Sequence, residues 1–316
     1  MSWSILIVGG AGYIGSHVAY DLYEKGYQVI VYDNLTEGHR EAVVSGNFIL
    51  GDINDTNALD KVFKTVKIDA VMHFSAYAYV GESVENPEKY YINNVSATIN
   101  LLSAMLKNNV KRLIFSSTCA TYGNPVYTPM DEKHPQNPVN PYGATKVMVE
   151  RILSDYANAY GLNYMALRYF NAAGAHPNGF IGESHRVETH LIPLVLKTLT
   201  GEKNSINIFG TDYDTPDGTC IRDYIHVCDL ATAHRMALES LLSNDDNDCV
   251  NLGTCSGISV REIISKCEQI TGMSVPVKYS GRRRGDPASL IASNEYAKYK
   301  LNFNPQYGID AIIKTA

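Results

Sequence analysis

Ser4-Ile5-Leu6-Ile7-Val8-Gly9-Gly10-Ala11-Gly12-Tyr13-Ile14-Gly15 is the stretch on which the fold turns. A short apolar run reads as a buried strand, and the glycines at 9, 12 and 15 lead directly into a segment of helical period. Strand, glycine turn and helix in that order bring backbone amides and a helix N-terminus up to a pyrophosphate with no Cβ in the way. Many glycine-rich turns are only tight turns; the position between first strand and first helix is what makes this one a dinucleotide fingerprint. Asp33 closes the second apolar run, Val31-Tyr32-Asp33, about twenty residues on, where an acid accepts ribose hydroxyls. A carboxylate there repels a 2′-phosphate, so the reading is NAD rather than NADP.

Working outward, apolar runs at 4–8, 28–32, 47–50, 68–74, 111–117 and 162–168 alternate with helical periodicity at 14–25, 56–66, 91–107 and 142–160. Near-continuous apolar strands separated by helices predict a doubly wound parallel α/β sheet of Rossmann type. The expected NAD-binding domain covers 1–170, with a return segment near 223–248. A smaller C-terminal α/β domain is expected over 171–316, where a polar loop at 174–189 precedes a helix near 190–200, a strand at 206–209 and a helix near 227–242. No Pro/Gly-rich linker divides the halves, so the chain is expected to cross between them.

The 316 residues carry a net charge of −6 and no basic stripe, which argues against nucleic acid or an anionic membrane as the main partner. The local exception is Arg282-Arg283-Arg284. Cysteines at 119, 220, 228, 249, 255 and 267 form no Cys-xx-Cys, and no paired-histidine spacing accompanies them. The reading is therefore no metal site, no disulfide framework and a reducing, cytoplasmic setting. The N-terminus reads as a first strand rather than a signal peptide, and no apolar run is long enough to span a bilayer.

Asn140-Pro141-Tyr142-Gly143-Ala144-Thr145-Lys146 pairs a phenol with an ammonium four residues apart, on one face of a helix that Asn140 caps and Pro141 begins. The dipole and the lysine should lower the phenol from its usual value near ~10 and make Tyr142 a base. Upstream, the strand ending Ser116-Ser117-Thr118 presents hydroxyls at a carboxyl end. Thr118 is a candidate partner for a substrate hydroxyl.

With these stand GDI at 51–53, HF at 73–74, VGES at 80–83, YYINN at 90–94, SSTCATYG at 116–123, RYFNAAGAHPNG at 168–179, IFGTDY at 208–213, DGTCIRDYIHV at 217–227, NLG at 251–253 and RRRGDP at 282–287. In these residues, spread over almost the whole chain, the sequence resembles the extended short-chain dehydrogenase/reductases and, within them, the UDP-glucose 4-epimerase family. The resemblance implies Gly9, Gly12, Tyr13, Ile14, Gly15, Asp33, Asn34, Asp52, Ile53, Phe74, Asn93, Tyr142, Lys146 and Tyr169 around NAD. Thr118 and Tyr142 would meet the sugar, with Lys146 completing the catalytic set. Asn171, His190, Leu191, Asn207, Phe209, Arg222, Arg283 and Asp286 would hold the nucleotide half of a UDP-sugar. The implied reaction is reversible 4-epimerisation of UDP-glucose and UDP-galactose through a 4-keto intermediate, by a homodimer pairing through helices near 90–107 and 142–160.

Two other activities share parts of this pattern. A nucleotide-sugar 4,6-dehydratase needs an acidic pair after the strand-end threonine, where this chain has Cys119 and Ala120. A non-catalytic nucleotide sensor has no use for Tyr142 and Lys146. Three positions depart from the family. Ala78 stands where a phosphate-binding lysine is usual, His190 replaces an asparagine before Leu191, and Leu290 replaces a tyrosine found where the sugar is restricted to glucose and galactose. The last leaves room for a 2-acetamido group, so UDP-N-acetylglucosamine and UDP-pentoses stay open as substrates.

Overall fold

The computed structural model describes residues 2–244, 246–283 and 285–316. Six parallel strands, β1 (Ser4–Val8), β2 (Gln28–Asp33), β3 (Asn47–Leu50), β4 (Ala70–His73), β5 (Arg112–Thr118) and β6 (Asn163–Tyr169), join the strand Asp248–Leu252 in one sheet. Its order is Asp248–Leu252, β6, β5, β4, β1, β2, β3. This is the dinucleotide-binding order with one added strand, and its direction of winding reverses between β1 and β4.

Every residue of β1 is buried. Leu6 and Val8 pack in one cluster with Val71, Leu113, Phe115, Leu101 and Met105, which is why the strand reads as a continuous apolar run. Helices α1 (Tyr13–Glu24), α2 (Thr56–Thr65), α3 (Val80–Glu85), α4 (Pro87–Tyr90), α5 (Ala97–Lys107) and α6 (Pro141–Tyr160) lie between the strands in sequence. α6 starts as read: the Asn140 Oδ1 accepts from the Gly143 amide at 2.8 Å, and Pro141 is at the first position. It stops at Gly161, which takes the left-handed conformation at φ 66°.

The helix expected over 91–107 is not uniform. Tyr91–Ser96 is a π-helical turn, and α5 begins only after it. The widened turn turns Asn94 inward, where its side-chain amide bonds the Tyr77 backbone in both directions, at 2.9 and 3.0 Å, and reaches the Thr145 hydroxyl at 3.2 Å. Single π turns of this kind are frequent at functional sites.

Two compact units divide the chain, Met1–Asn124, Pro135–Arg168 and Leu230–Val250 in one, Pro125–His134, Tyr169–Asp229 and Asn251–Ala316 in the other. The chain crosses between them five times, so no single linker exists for a sequence reading to find. In the second unit the strand Ile221–His226 pairs with Gly257–Ser259, Ser289–Leu290 and Asn171–Ala173, while Ile206–Phe209 pairs with Val277–Ser280. Ile192, Val195, Ile208, Ile263 and Ile312 form its core. No helix among the described residues is long and apolar enough to cross a membrane.

Candidate active site

Gly9 and Gly15 are glycines because the protein leaves no alternative. Gly9 lies at φ +78°, and a Cβ on it would sit 2.4 Å from the Ser75 amide nitrogen; one on Gly15 would sit 2.4 Å from the Gly9 carbonyl oxygen. Gly12 differs. Its backbone is extended, at φ −81° and ψ 175°, and the nearest atom to an added Cβ is the Gly9 oxygen at 3.4 Å. The chain itself does not require glycine there, so the bare backbone at the start of α1, which carries no side-chain cap, suits something from outside the chain. That is the fit expected of a dinucleotide's pyrophosphate at a helix N-terminus.

Asp33 is buried at the end of β2, and its two carboxylate oxygens accept from the Ala11 and Leu35 amides at 2.9 and 2.8 Å. Burial pushes its pKa up, against the lowering effect of those amides. The carboxylate thus anchors the glycine turn while standing at the ribose end of the fingerprint. Beside it, Asn34 donates to Asp52 at 2.8 Å, with Ile53 buried behind. Phe74 follows β4 and packs on His234 at 4.9 Å between ring centres, and Asn93 in the π turn donates to Asn94 at 3.0 Å.

Thr118 and Tyr142 meet at the carboxyl end of β5. The Thr118 hydroxyl accepts from the Ala120 amide at 3.2 Å and is hydrogen-bonded to the Tyr142 phenol. Lys146, 3% exposed, donates to the Ser116 carbonyl at 2.7 Å, with its Nζ 5.9 Å from the centre of the Tyr142 ring. The three residues predicted from spacing are therefore brought together, but the expected electrostatics are not those of the protein without ligand. Burial pushes the Tyr142 phenol up to about 12, with the Thr118 hydrogen bond opposing, and pushes the Lys146 ammonium down to about 7, with Glu150 opposing. Desolvation outweighs the helix dipole, a correction to the expectation of an already acidic phenol.

The lysine gives a test by pH. Between a folded value of about 7 and the ordinary 10.5, the unfolded chain holds a proton that the folded chain does not, so this lysine's contribution to stability rises with pH through that window. His185 and His190 act oppositely: carboxylates raise them to about 9 and about 10, so their contribution is complete below 6.5 and is lost as pH rises through those values. The difference between wild type and Lys146→Met isolates the lysine. Denaturant unfolding should show wild type gaining on the variant by up to about 1.4 kcal/mol per pH unit above neutrality. Parallel curves would mean that the buried lysine stays charged.

Beneath the lysine lies a buried network that the sequence did not single out. The Glu150 carboxylate accepts from Ser117 Oγ at 2.5 Å, Arg168 Nε at 2.9 Å, Arg168 Nη2 at 2.6 Å and Gln136 Nε2 at 2.7 Å. Arg168 Nη1 also donates to the Tyr122 hydroxyl at 3.0 Å. A signal was available: Glu150 follows Lys146 by four residues, and Arg168 opens the RYFN run.

The second unit collects a different chemistry. Asp286 bridges two guanidinium groups, accepting a fork from Arg283 at 2.9 and 3.0 Å and lying 3.7 Å from Arg222. Arg283 stands over the Phe209 ring at 5.6 Å, and Asn207 shares the exposed face of that strand. Asn171 opens the strand Asn171–Ala173, two residues after Tyr169, which is buried. Leu191 is the first residue of the helix Leu191–Leu199, and His190 its N-cap. His190 contacts Glu183, in a cluster with His185 and Glu188 that contains no cysteine and no histidines closely paired in sequence. Of the basic run, Arg282 is half exposed and pairs with Asp212, while Arg284 lies outside the described residues.

Residues 5–253 match the model of the NAD dependent epimerase/dehydratase family. The chain is 53% identical over 304 residues to a UDP-glucose 4-epimerase of Halalkalibacterium halodurans, covering 96% of this chain and 91% of that protein. It superposes at a TM-score of 0.98, with 52% identity over 100% of this chain and 97% of the other, on the crystal structure of UDP-glucose 4-epimerase from Brucella ovis in complex with NAD. At 38% identity and a TM-score of 0.88, covering 100% and 98%, it also matches the UDP-Glc/GlcNAc 4-epimerase of Campylobacter jejuni.

Proposed function

The chain belongs to the NAD dependent epimerase/dehydratase family, and from that premise we propose that it interconverts UDP-glucose and UDP-galactose by NAD-dependent 4-epimerisation through a 4-keto sugar. The observation that carries this reading is the Thr118–Tyr142 hydroxyl pair beside Lys146, in the same unit as the glycine turn. Bound NAD would supply a reversible hydride acceptor at sugar C4, so the net redox change would be zero.

The protein's own part is proton transfer and positioning. Tyr142 takes the proton of the sugar 4-hydroxyl and gives it back after the ketose has turned to present its other face. Thr118, whose oxygen is held by the Ala120 amide, orients that proton's path. Lys146, fixed on the Ser116 carbonyl, binds the nicotinamide ribose and stabilises the phenolate. Arg222 and Arg283 match the diphosphate by charge and fork geometry, with Asp286 setting their spacing. Asn171, His190, Leu191, Asn207 and Phe209 take the rest of the nucleotide, and Phe74, Asn93 and Tyr169 line the cofactor. Dehydration is disfavoured because the turn after Thr118 carries Cys119 and Ala120, neither suited to exchange the required protons.

Leu290 supports a second reading of the sugar. It stands in register with Arg222 on the neighbouring strand, and if Arg222 holds the diphosphate as proposed, an aliphatic side chain beside it is compatible with a 2-acetamido group. UDP-N-acetylglucosamine is the substrate to add in that test. A homodimer and a cytoplasmic location complete the proposal. Val84, Ile92, Ile99 and Met148 leave apolar surface exposed around the π turn, α5 and α6, as a helix-pairing face requires.

Proton NMR of the purified protein with UDP-galactose and no added nucleotide tests the activity directly. Anomeric signals of UDP-glucose are expected. Their absence even with NAD supplied, together with turnover of UDP-N-acetylglucosamine, would move the reading to the larger sugar. The glycine turn gives an independent check. Gly12→Ala should change stability by no more than about 1 kcal/mol while weakening NAD binding, whereas Gly15→Ala should cost about 1–3 kcal/mol through its clash with Gly9. Equal NAD affinity in wild type and Gly12→Ala would remove the pyrophosphate from this turn.

A further inference from the structure

We propose that Glu183, His185, Glu188 and His190 form a Zn²⁺ site in the loop that enters the helix Leu191–Leu199. The sequence there is Glu183-Ser184-His185-Arg186-Val187-Glu188-Thr189-His190, two Glu-x-His units five residues apart. One ligand atom from each of the four residues lies within 4.8 Å of all the others, the one such group found among the described residues.

The spacing is close to what one ion demands. Nitrogen and oxygen ligands at about 2.0–2.1 Å from a tetrahedral centre stand about 3.4 Å apart. His185 Nδ1 is 3.2 Å from Glu183 Oε1 and 3.5 Å from Glu188 Oε2, and His190 Nδ1 is 3.4 Å from Glu188 Oε1. The fourth separation, His190 Nδ1 to Glu183 Oε1, is shorter at 2.5 Å. Each imidazole thus turns its Nδ1 toward the same two carboxylates, Glu188 meeting one ring through Oε2 and the other through Oε1.

Charge makes the same demand. Both carboxylate side chains are only 6% exposed, and two carboxylates so enclosed must be neutralised. Two imidazolium protons can do this, and one divalent cation in their place can do it with the same geometry. Neutral imidazole and carboxylate are zinc ligands, and binding displaces the protons, so affinity should rise with pH. The ion would fix the loop immediately before His190 and Leu191, independently of whether these touch a nucleotide.

The test is metal uptake by the whole chain after chelator treatment, followed by calorimetric titration with Zn²⁺. One ion per chain is expected. Affinity should fall by at least about 100-fold in Glu183→Gln and in His185→Ala, the upper end of what loss of even an outer-sphere partner costs. Circular dichroism establishes that the near-isosteric Glu183→Gln remains folded. Co²⁺ in place of Zn²⁺ should give ligand-field bands without the charge-transfer band of a thiolate. Absence of saturable uptake, uptake unchanged in both variants, or a thiolate band from one of the cysteines would each overturn the site. None of these readouts depends on epimerase activity, so the two readings fail separately.

Discussion

Tyr142→Phe should lower kcat on UDP-galactose by about 10²–10⁴-fold and leave UDP affinity almost unchanged. The substitution removes one oxygen atom, and the bond that oxygen makes in the protein is to the Thr118 hydroxyl, which keeps its contact with the Ala120 amide. Ring packing survives. What is lost is the group that takes the substrate proton, and nothing else near the end of β5 replaces it: Lys146 is committed to the Ser116 carbonyl, and Cys119 and Ala120 occupy the following turn. Burial also predicts the sign of an accompanying effect. A phenol held near 12 is neutral through the working pH range, so removing it takes no charge from the resting protein, and the thermal midpoint should move little. Steady-state kinetics with calorimetric UDP binding on the same preparation decide the matter. Retained turnover would dismiss Tyr142 as the base, and a loss of UDP affinity equal to the loss of turnover would make it a binding residue instead.

How far such a site can be read in advance depends on the range of the interactions that make it. The first sheet was legible because each strand is buried on both faces and each connection carries its own turn chemistry: Gly9 at positive φ, the Asp55 and Asn140 caps, Gly161 at the end of α6. Tyr142 and Lys146 were legible for the same local reason, four residues on a helix. Their proton affinities were not. Desolvation is summed over everything packed around a group, and no local pattern contains that sum. The π turn escaped because one residue's change of helical pitch has no clear compositional mark, although it is what turns Asn94 toward Thr145. The two Glu-x-His units carry no cysteine or closely paired histidine to mark them in sequence, because this cluster alternates imidazole with carboxylate. Arg222 is separated by more than sixty residues of chain from Arg283 and Asp286, and strand pairing and a turn bring them together.

The Glu150–Arg168 pair, equally long-range, carries the largest stability effect. Glu150 is 6% and Arg168 5% exposed, and the guanidinium fork is closed at 2.9 and 2.6 Å. Glu150→Ala leaves an uncompensated cation in the core beside Tyr122 and should cost about 3–5 kcal/mol, read from denaturant unfolding. The ion pair itself need not stabilise the fold, since its Coulombic attraction is set against the cost of taking both charges out of water. Replacing the two together, Glu150→Met with Arg168→Met, should therefore recover most of the loss or exceed wild type. Activity separates the roles. Glu150 is the nearby charge that opposes the desolvation of Lys146, so the repacked double variant, although stable, should hold its lysine at a still lower pKa. Its kcat should then decline from a lower pH than that of wild type as the ammonium is lost. A stable double variant with an unaltered pH profile would reduce the pair to packing, and one as unstable as Glu150→Ala would mean that Ser117, Gln136 and Tyr122, left with unmatched hydrogen bonds, account for the cost.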